Sequence, residues 1–216
     1  MKIKSFQGGY DKNFSYLVWC EKTKFAAIVD PSVPSNEIIE QIEKLNLTLV
    51  KIFITHTHFD HIQYLEDFIF KFPNIEICCH EKSINLFKQH NIRGLINNET
   101  VFLGELLLIV MHTPGHYHDS ICYWLKDQNI LFTGDTMFVG RPGRVKSKTS
   151  NIKDLYHSIY NEIFSLPEKT IIYSGHNYGY SPTITIKKNR EISNFFSCIS
   201  IEEFIKEMEK FESNYK

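Results

Sequence analysis

The segment Thr55-His56-Thr57-His58-Phe59-Asp60-His61 gathers three imidazoles and a carboxylate in one short stretch, directly after the largely apolar run 50–54. Donors of these types, on a loop leaving a strand, point to a metal site, and their number points to more than one ion. In extended backbone, residues two apart face the same side. His56 and His58 can therefore close on one cation, while Asp60 and His61, after the chain turns, face a neighbouring position. One loop completes neither site, because zinc or iron takes four to six donors, so the others must come from elsewhere in the chain.

Three later positions offer them, each where an apolar strand stops. Thr113-Pro114-Gly115-His116 follows the run 106–111, Thr133-Gly134-Asp135-Thr136 follows 130–132, and Ser174-Gly175-His176 follows 171–173. Pro and Gly make a tight turn that presents His116 at its tip. The remaining histidines are expected elsewhere. His80, His90 and His157 are assigned to helix or strand surfaces, His112 to a place behind the turn where it can orient a ligand, and His118 to the neighbourhood of His116.

The elements that must position these residues read as strands at 14–20, 25–29, 50–54, 75–79, 106–111, 121–125, 130–132 and 170–173. Between them, helices are expected over 35–45, with Ile38, Ile39, Ile42 and Leu45 on one face and Ser35 as the cap, and over 152–164. A third should follow the histidine loop with Ile62, Leu65, Ile69 and Phe72 inward, and a fourth should close the chain with Ile201, Phe204, Ile205, Met208 and Phe211 on one face. Strands alternate with helices, so the class is α/β with helices covering sheets.

At 216 residues and 43% hydrophobic, the chain can bury a large core; it reads as one domain over 1–216 built from two similar halves. A net charge of −1 speaks against a surface dedicated to nucleic acid or anionic membrane, which leaves a small molecule as the expected partner. The first residues lack the apolar region of a signal peptide, and no stretch approaches the ~20 apolar residues of a membrane span, so a cytoplasmic location is expected. Five cysteines without a CxxC pair suit a reducing compartment, with Cys78 and Cys79 in the core.

Taken in order, HxHxDH, then His, Asp and His, the chain resembles the metallo-β-lactamase fold superfamily at all seven positions: His56, His58, Asp60, His61, His116, Asp135 and His176. The resemblance implies a four-layer αββα sandwich, two mixed β-sheets flanked by helices, with metals between the sheet edges. It further implies that His56, His58 and His116 bind one metal, that Asp60, His61 and His176 bind a second, and that Asp135 bridges them. Gly134-Asp135-Thr136-Met137-Phe138-Val139-Gly140, Gly143-Arg144 and Gly175-His176-Asn177-Tyr178 are similar to the glyoxalase II and persulfide dioxygenase branch. The chain departs from that branch in three places. Val145-Lys146-Ser147 stands where an acidic residue follows the Gly-Arg pair, Asp119-Ser120 replaces Gly-Ser after the turn histidine, and the closing Asn-Pro is lost near Ser193-Asn194.

The chemistry implied is hydrolysis of an acyl thioester, with a glutathione conjugate as the substrate class. Two adjacent cations sharing Asp135 acidify a water held between them until it is a nucleophile at neutral pH. Asp60 accepts its hydrogen bond, so Asp60 and Asp135 are the expected catalytic carboxylates. Two divalent ions are expected, zinc first, with iron or manganese suiting the same donors. Arg144, Tyr178 and Arg190 are expected to meet the substrate, the arginines offering forked donors to its carboxylates; Lys187 and Lys188 read as a solvated helix start. The main alternative is a mononuclear iron persulfide dioxygenase on His56, His116 and Asp135. Lactone, lactam or phosphodiester hydrolysis, and a non-catalytic binding role, stand behind it.

Overall fold

The computed structural model describes residues 1–87 and 90–214. Among these, the N-terminal half forms one six-stranded sheet in the order β1 (Lys2–Gly8), β2 (Asn13–Trp19), β3 (Phe25–Val29), β4 (Thr48–Phe53), β5 (Glu76–His80) and β6 (Ile92–Leu95). β1, β2 and β3 pair antiparallel and β3 to β6 parallel, so the sheet is mixed. The C-terminal half forms the second, from β7 (Thr100–Leu103), β8 (Leu106–His112), β9 (Ile121–Leu125), β10 (Ile130–Gly134), β11 (Ile171–Ser174) and β12 (Thr183–Thr185), in the order 12-11-10-9-8-7. Only β10 and β11 run parallel there.

Strand parity explains why the sheets stack. Ala26 and Ile28 of β3 join one core cluster while Ala27 and Val29 join another, and in β9 Ile121, Tyr123 and Leu125 face away from Cys122. Strands apolar on both faces need cover on both. The shared cluster, with Tyr16, Phe53, Leu108, Tyr123 and Phe132, lies between the sheets. Outside the first sheet, α1 (Ser35–Lys44) and α3 (Leu65–Lys71) bring Ile38, Ile42, Leu65 and Phe68. Outside the second, α4 (Ile152–His157), α5 (Ile186–Ile192) and α6 (Ile201–Ser213) bring Leu155, Ile186, Phe204 and Met208. The result is the expected αββα sandwich. Among the described residues no helix is long and apolar enough to cross a membrane.

Several local expectations are corrected. Ser35 does not cap α1: Pro34 holds that position, and Ser35 Oγ donates instead to Asp67 Oδ2 of α3 at 2.8 Å. The helix after the histidine loop is two pieces, α2 (Phe59–Ile62) and α3, because Tyr64 N turns aside to donate to Pro31 O. Ile62, Leu65, Ile69 and Phe72 do pack on the first core cluster, and Phe68, on the same face, is the most deeply buried of the segment. Beyond His157 the helix loosens into a π-turn over 158–162 and a last 3-10 turn. His80 is buried at the end of β5 with its ring stacked 4.2 Å from His112, not on a surface. All five cysteines are buried and free.

Candidate active site

The seven predicted donors meet at the carboxyl ends of β4, β8, β10 and β11, where short loops leave both sheets. Tyr123 Oη, buried between the sheets, donates to the carbonyls of Ile54 and Cys78, and Ile121 N donates to Thr55 O. These bonds fix the root of the histidine loop. Asp135 emerges beyond a register shift between Phe132 and Gly134. Gly134 has φ +49°, and a side chain there would strike Thr55 Oγ1, so only glycine lets the two sheet edges approach.

Two clusters result. His56 Nε2 lies 2.9 Å from His58 Nδ1, which lies 3.0 Å from His116 Nε2. His61 Nε2 lies 3.2 Å from His176 Nε2, and Asp60 Oδ2 lies 3.3 Å from His176 Nε2. Asp135 stands between them, Oδ1 3.2 Å from His61 Nε2 and Oδ2 3.6 Å from His116 Nε2 and 3.3 Å from His176 Nε2.

The outer ring nitrogens find acceptors. His61 Nδ1 donates to Asp30 Oδ2, His116 Nδ1 to Arg144 O and His176 Nδ1 to Asp11 O, each at 2.8 Å. With the proton held on Nδ1, each Nε2 turns a lone pair inward. Burial holds His56, His58 and His116 below the ordinary imidazole range, His58 at about 4. Burial also pulls on His61 and His176, but Asp135 and neighbouring carboxylates outweigh it and raise both, His176 to about 9. Those histidines in turn outweigh the burial of Asp60 and Asp135 and hold both carboxyls well below their usual range.

This arrangement fits cations. Among His56, His58 and His116, which burial keeps neutral, ring nitrogens converge at hydrogen-bond distance, and Asp135 Oδ1 is buried without a hydrogen bond although His61 lies beside it. Two donor triads, His56-His58-His116 and Asp60-His61-His176, each have ligand atoms close enough for one ion, as does His56-His61-Asp135 between them. Imidazole and carboxylate without thiolate suit borderline divalent metals.

A profile of the Metallo-beta-lactamase superfamily matches residues 8–176, a span that contains all seven donors. The chain belongs to the metallo-beta-lactamase superfamily. It is 32% identical to the probable hydroxyacylglutathione hydrolase glo2 of Schizosaccharomyces pombe, over 79% of this chain and 66% of that one. It thus spans just under two thirds of that relative's length. It is 29% identical to the probable polyketide biosynthesis zinc-dependent hydrolase BaeB of Bacillus velezensis, over 89% of this chain and 85% of that one. ETHE1 from Myxococcus xanthus superposes with a TM-score of 0.88 at 28% identity, covering 98% of this chain and 91% of that one.

The superfamily match leaves the surroundings of the cluster to this chain's own residues. Of the predicted substrate contacts, Tyr178 stacks on His176 at 4.8 Å, nearly parallel, and its hydroxyl donates to Asp11 Oδ2 at 2.6 Å. Arg144 is exposed beside the turn and holds His116 through its carbonyl. Arg190 is not brought to the cluster: its guanidinium covers the Phe164 ring in a cleft shared with Glu168, Lys187 and Glu191 in the outer helical layer. Three residues not predicted adjoin the donors, and a fourth, Arg141, covers Tyr178 beside them. Asn13 Nδ2 donates to Asp60 Oδ2 at 2.8 Å, Tyr117 packs on His58 at 4.2 Å, Arg141 lies 4.1 Å over the Tyr178 ring, and Asp30 backs His61. Asp30 could have been found, since it ends the apolar run 25–29 as Asp135 ends 130–132.

Proposed function

We propose that this chain is a metal-dependent thioester hydrolase of the hydroxyacylglutathione hydrolase kind. His56, His58 and His116 would hold one divalent ion, Asp60, His61 and His176 a second, and Asp135 both. The observation that carries this reading is the common carboxylate, with an oxygen within 3.6 Å of a donor nitrogen in each triad. Such a metal pair, when bound, supplies Lewis-acid polarisation of a carbonyl and acidifies water. Zinc is the metal we assign, because the donors are imidazole and carboxylate in number and kind suited to it and BaeB is named a zinc-dependent hydrolase.

The chain's own residues carry the rest. Asn13 fixes the plane of the Asp60 carboxylate, which orients the attacking water and takes its proton. The Nδ1 bonds to Asp30, Arg144 O and Asp11 O keep three rings from turning as charge develops. Tyr178 and Tyr117 wall the cluster on two sides, against His176 and His58. Arg141, held over the Tyr178 ring that stacks on His176, sets positive charge near the cluster, which suits the anionic thiol portion of a glutathione thioester.

The test pairs elemental analysis of protein purified without chelator with hydrolysis of S-lactoylglutathione. Bound zinc and thioester cleavage, both lost in His58→Ala, support the reading. No bound transition metal, or unchanged hydrolysis in that variant, overturns it. One iron per chain with oxygen uptake on glutathione persulfide would assign the dioxygenase chemistry instead.

A further inference from the structure

The histidine loop is gripped from behind at alternate residues. His56 and His58 face inward with their nitrogens 2.9 Å apart, so in extended backbone Thr55 and Thr57 face the other way. Each threonine meets a buried aspartate through both its amide and its hydroxyl. Thr55 N and Oγ1 donate to Asp30 Oδ1 and Oδ2 at 2.7 and 2.6 Å. Thr57 Oγ1 donates to Asp119 Oδ2 at 2.6 Å, with Thr57 N 3.4 Å from Oδ1.

Asp119 is 1% exposed, and the third group that reaches it, Ser83 Oγ, is neutral like the other two. A buried carboxylate met by neutral donors is costly to keep for stability alone, because desolvation of its charge is repaid only in part. Its partner Thr57 is the residue between two donors of the three-histidine cluster, and the turn it sits on also carries His116, three residues earlier. One side chain therefore links both segments that build that cluster.

We propose that Asp119 is a positioning residue for the three-histidine cluster: through Thr57 it holds the backbone that aims His56 and His58, and it ties that loop to the His116 turn. Asp30 does the corresponding work at Thr55 and His61. This inference rests on the proposed metal site.

The test is titration of Zn(II) into metal-stripped protein against a competing chromophoric chelator, with the Co(II) absorption spectrum as a reading of donor geometry. Asp119→Asn and Thr57→Val are expected to bind one equivalent about ten-fold more weakly, with an altered Co(II) spectrum, while Thr57→Ser keeps wild-type affinity. The melting temperature of metal-free Asp119→Asn is expected to stay level or rise, since a buried charge has gone and the hydroxyls of Thr57 and Ser83 can donate or accept. Wild-type affinity in both variants overturns the proposal. So does a loss of affinity matched in both by a lower metal-free melting temperature, which would make Asp119 a general folding residue. Failure of the wild-type protein itself to bind metal would instead overturn the site on which the proposal rests.

Discussion

Replacing Gly175 with alanine adds one methyl group against the shared carboxylate. The new Cβ would lie 2.3 Å from Asp135 Oδ1 and 2.6 Å from His61 Cε1, where ordinary contact begins near 3.4 Å. Gly175 is not among the positive-φ glycines, so the backbone accepts alanine and the whole effect falls on these neighbours. His61 cannot retreat, being fully buried with Nδ1 tied to Asp30. Asp135 can, since its Oδ1 forms no hydrogen bond, and it must give way by about 1 Å. Overpacking of this kind costs roughly 1–3 kcal/mol, or about 2–12 °C in melting temperature for a chain of this size. A misplacement of ~1 Å at a reacting centre costs on the order of 10²-fold in rate. Gly175→Ala is therefore expected to remain folded by circular dichroism, to melt slightly lower, and to lose about 100-fold in kcat/KM for thioester hydrolysis. Wild-type kcat/KM in a folded Gly175→Ala protein would refute the claim that Asp135 must sit where it does.

Asp30→Asn should weaken metal binding roughly 10- to 100-fold in a chelator competition, because an amide donor opposite His61 Nδ1 drives the ring proton onto the inward-facing Nε2; unchanged affinity would count against the tautomer assignment. Stability should also fall at alkaline pH. Burial pushes the Cys79 and Cys122 thiols up to about 12, so above the ordinary thiol value near 8.5 the unfolded chain releases protons that the folded chain keeps. Their contribution is complete below that value and is lost as pH rises toward 12, by up to about 1.4 kcal/mol per pH unit for each thiol. Urea midpoints at pH 8 and pH 10.5 would reveal it, and equal midpoints would contradict it.

The apolar strands were legible because they are buried on both faces. β3 and β9 begin and end where their hydrophobic runs do. β1 carries no such signal: of its seven residues only Phe6 is buried, and the rest of the strand is largely lysine, serine and glutamine at the sheet edge. β6, β7 and β12 have three or four residues each, too few for a period to register. The donors could be read because each ends an apolar run. Their supports were hidden for different reasons. Asn13 is the polar first residue of β2, fully buried, and nothing near it in sequence indicates that its partner is Asp60. Asp119 is 62 positions from Thr57. Arg190 lies away from the donor cluster because α5 packs on the outer face of the second sheet, a placement that only the tertiary fold decides.

The most direct measurement is anomalous scattering from crystals of the protein grown with zinc. Two peaks are expected, one among His56, His58 and His116 and one among Asp60, His61 and His176, with Asp135 touching both. A single peak, or density bound by other side chains, would contradict the account.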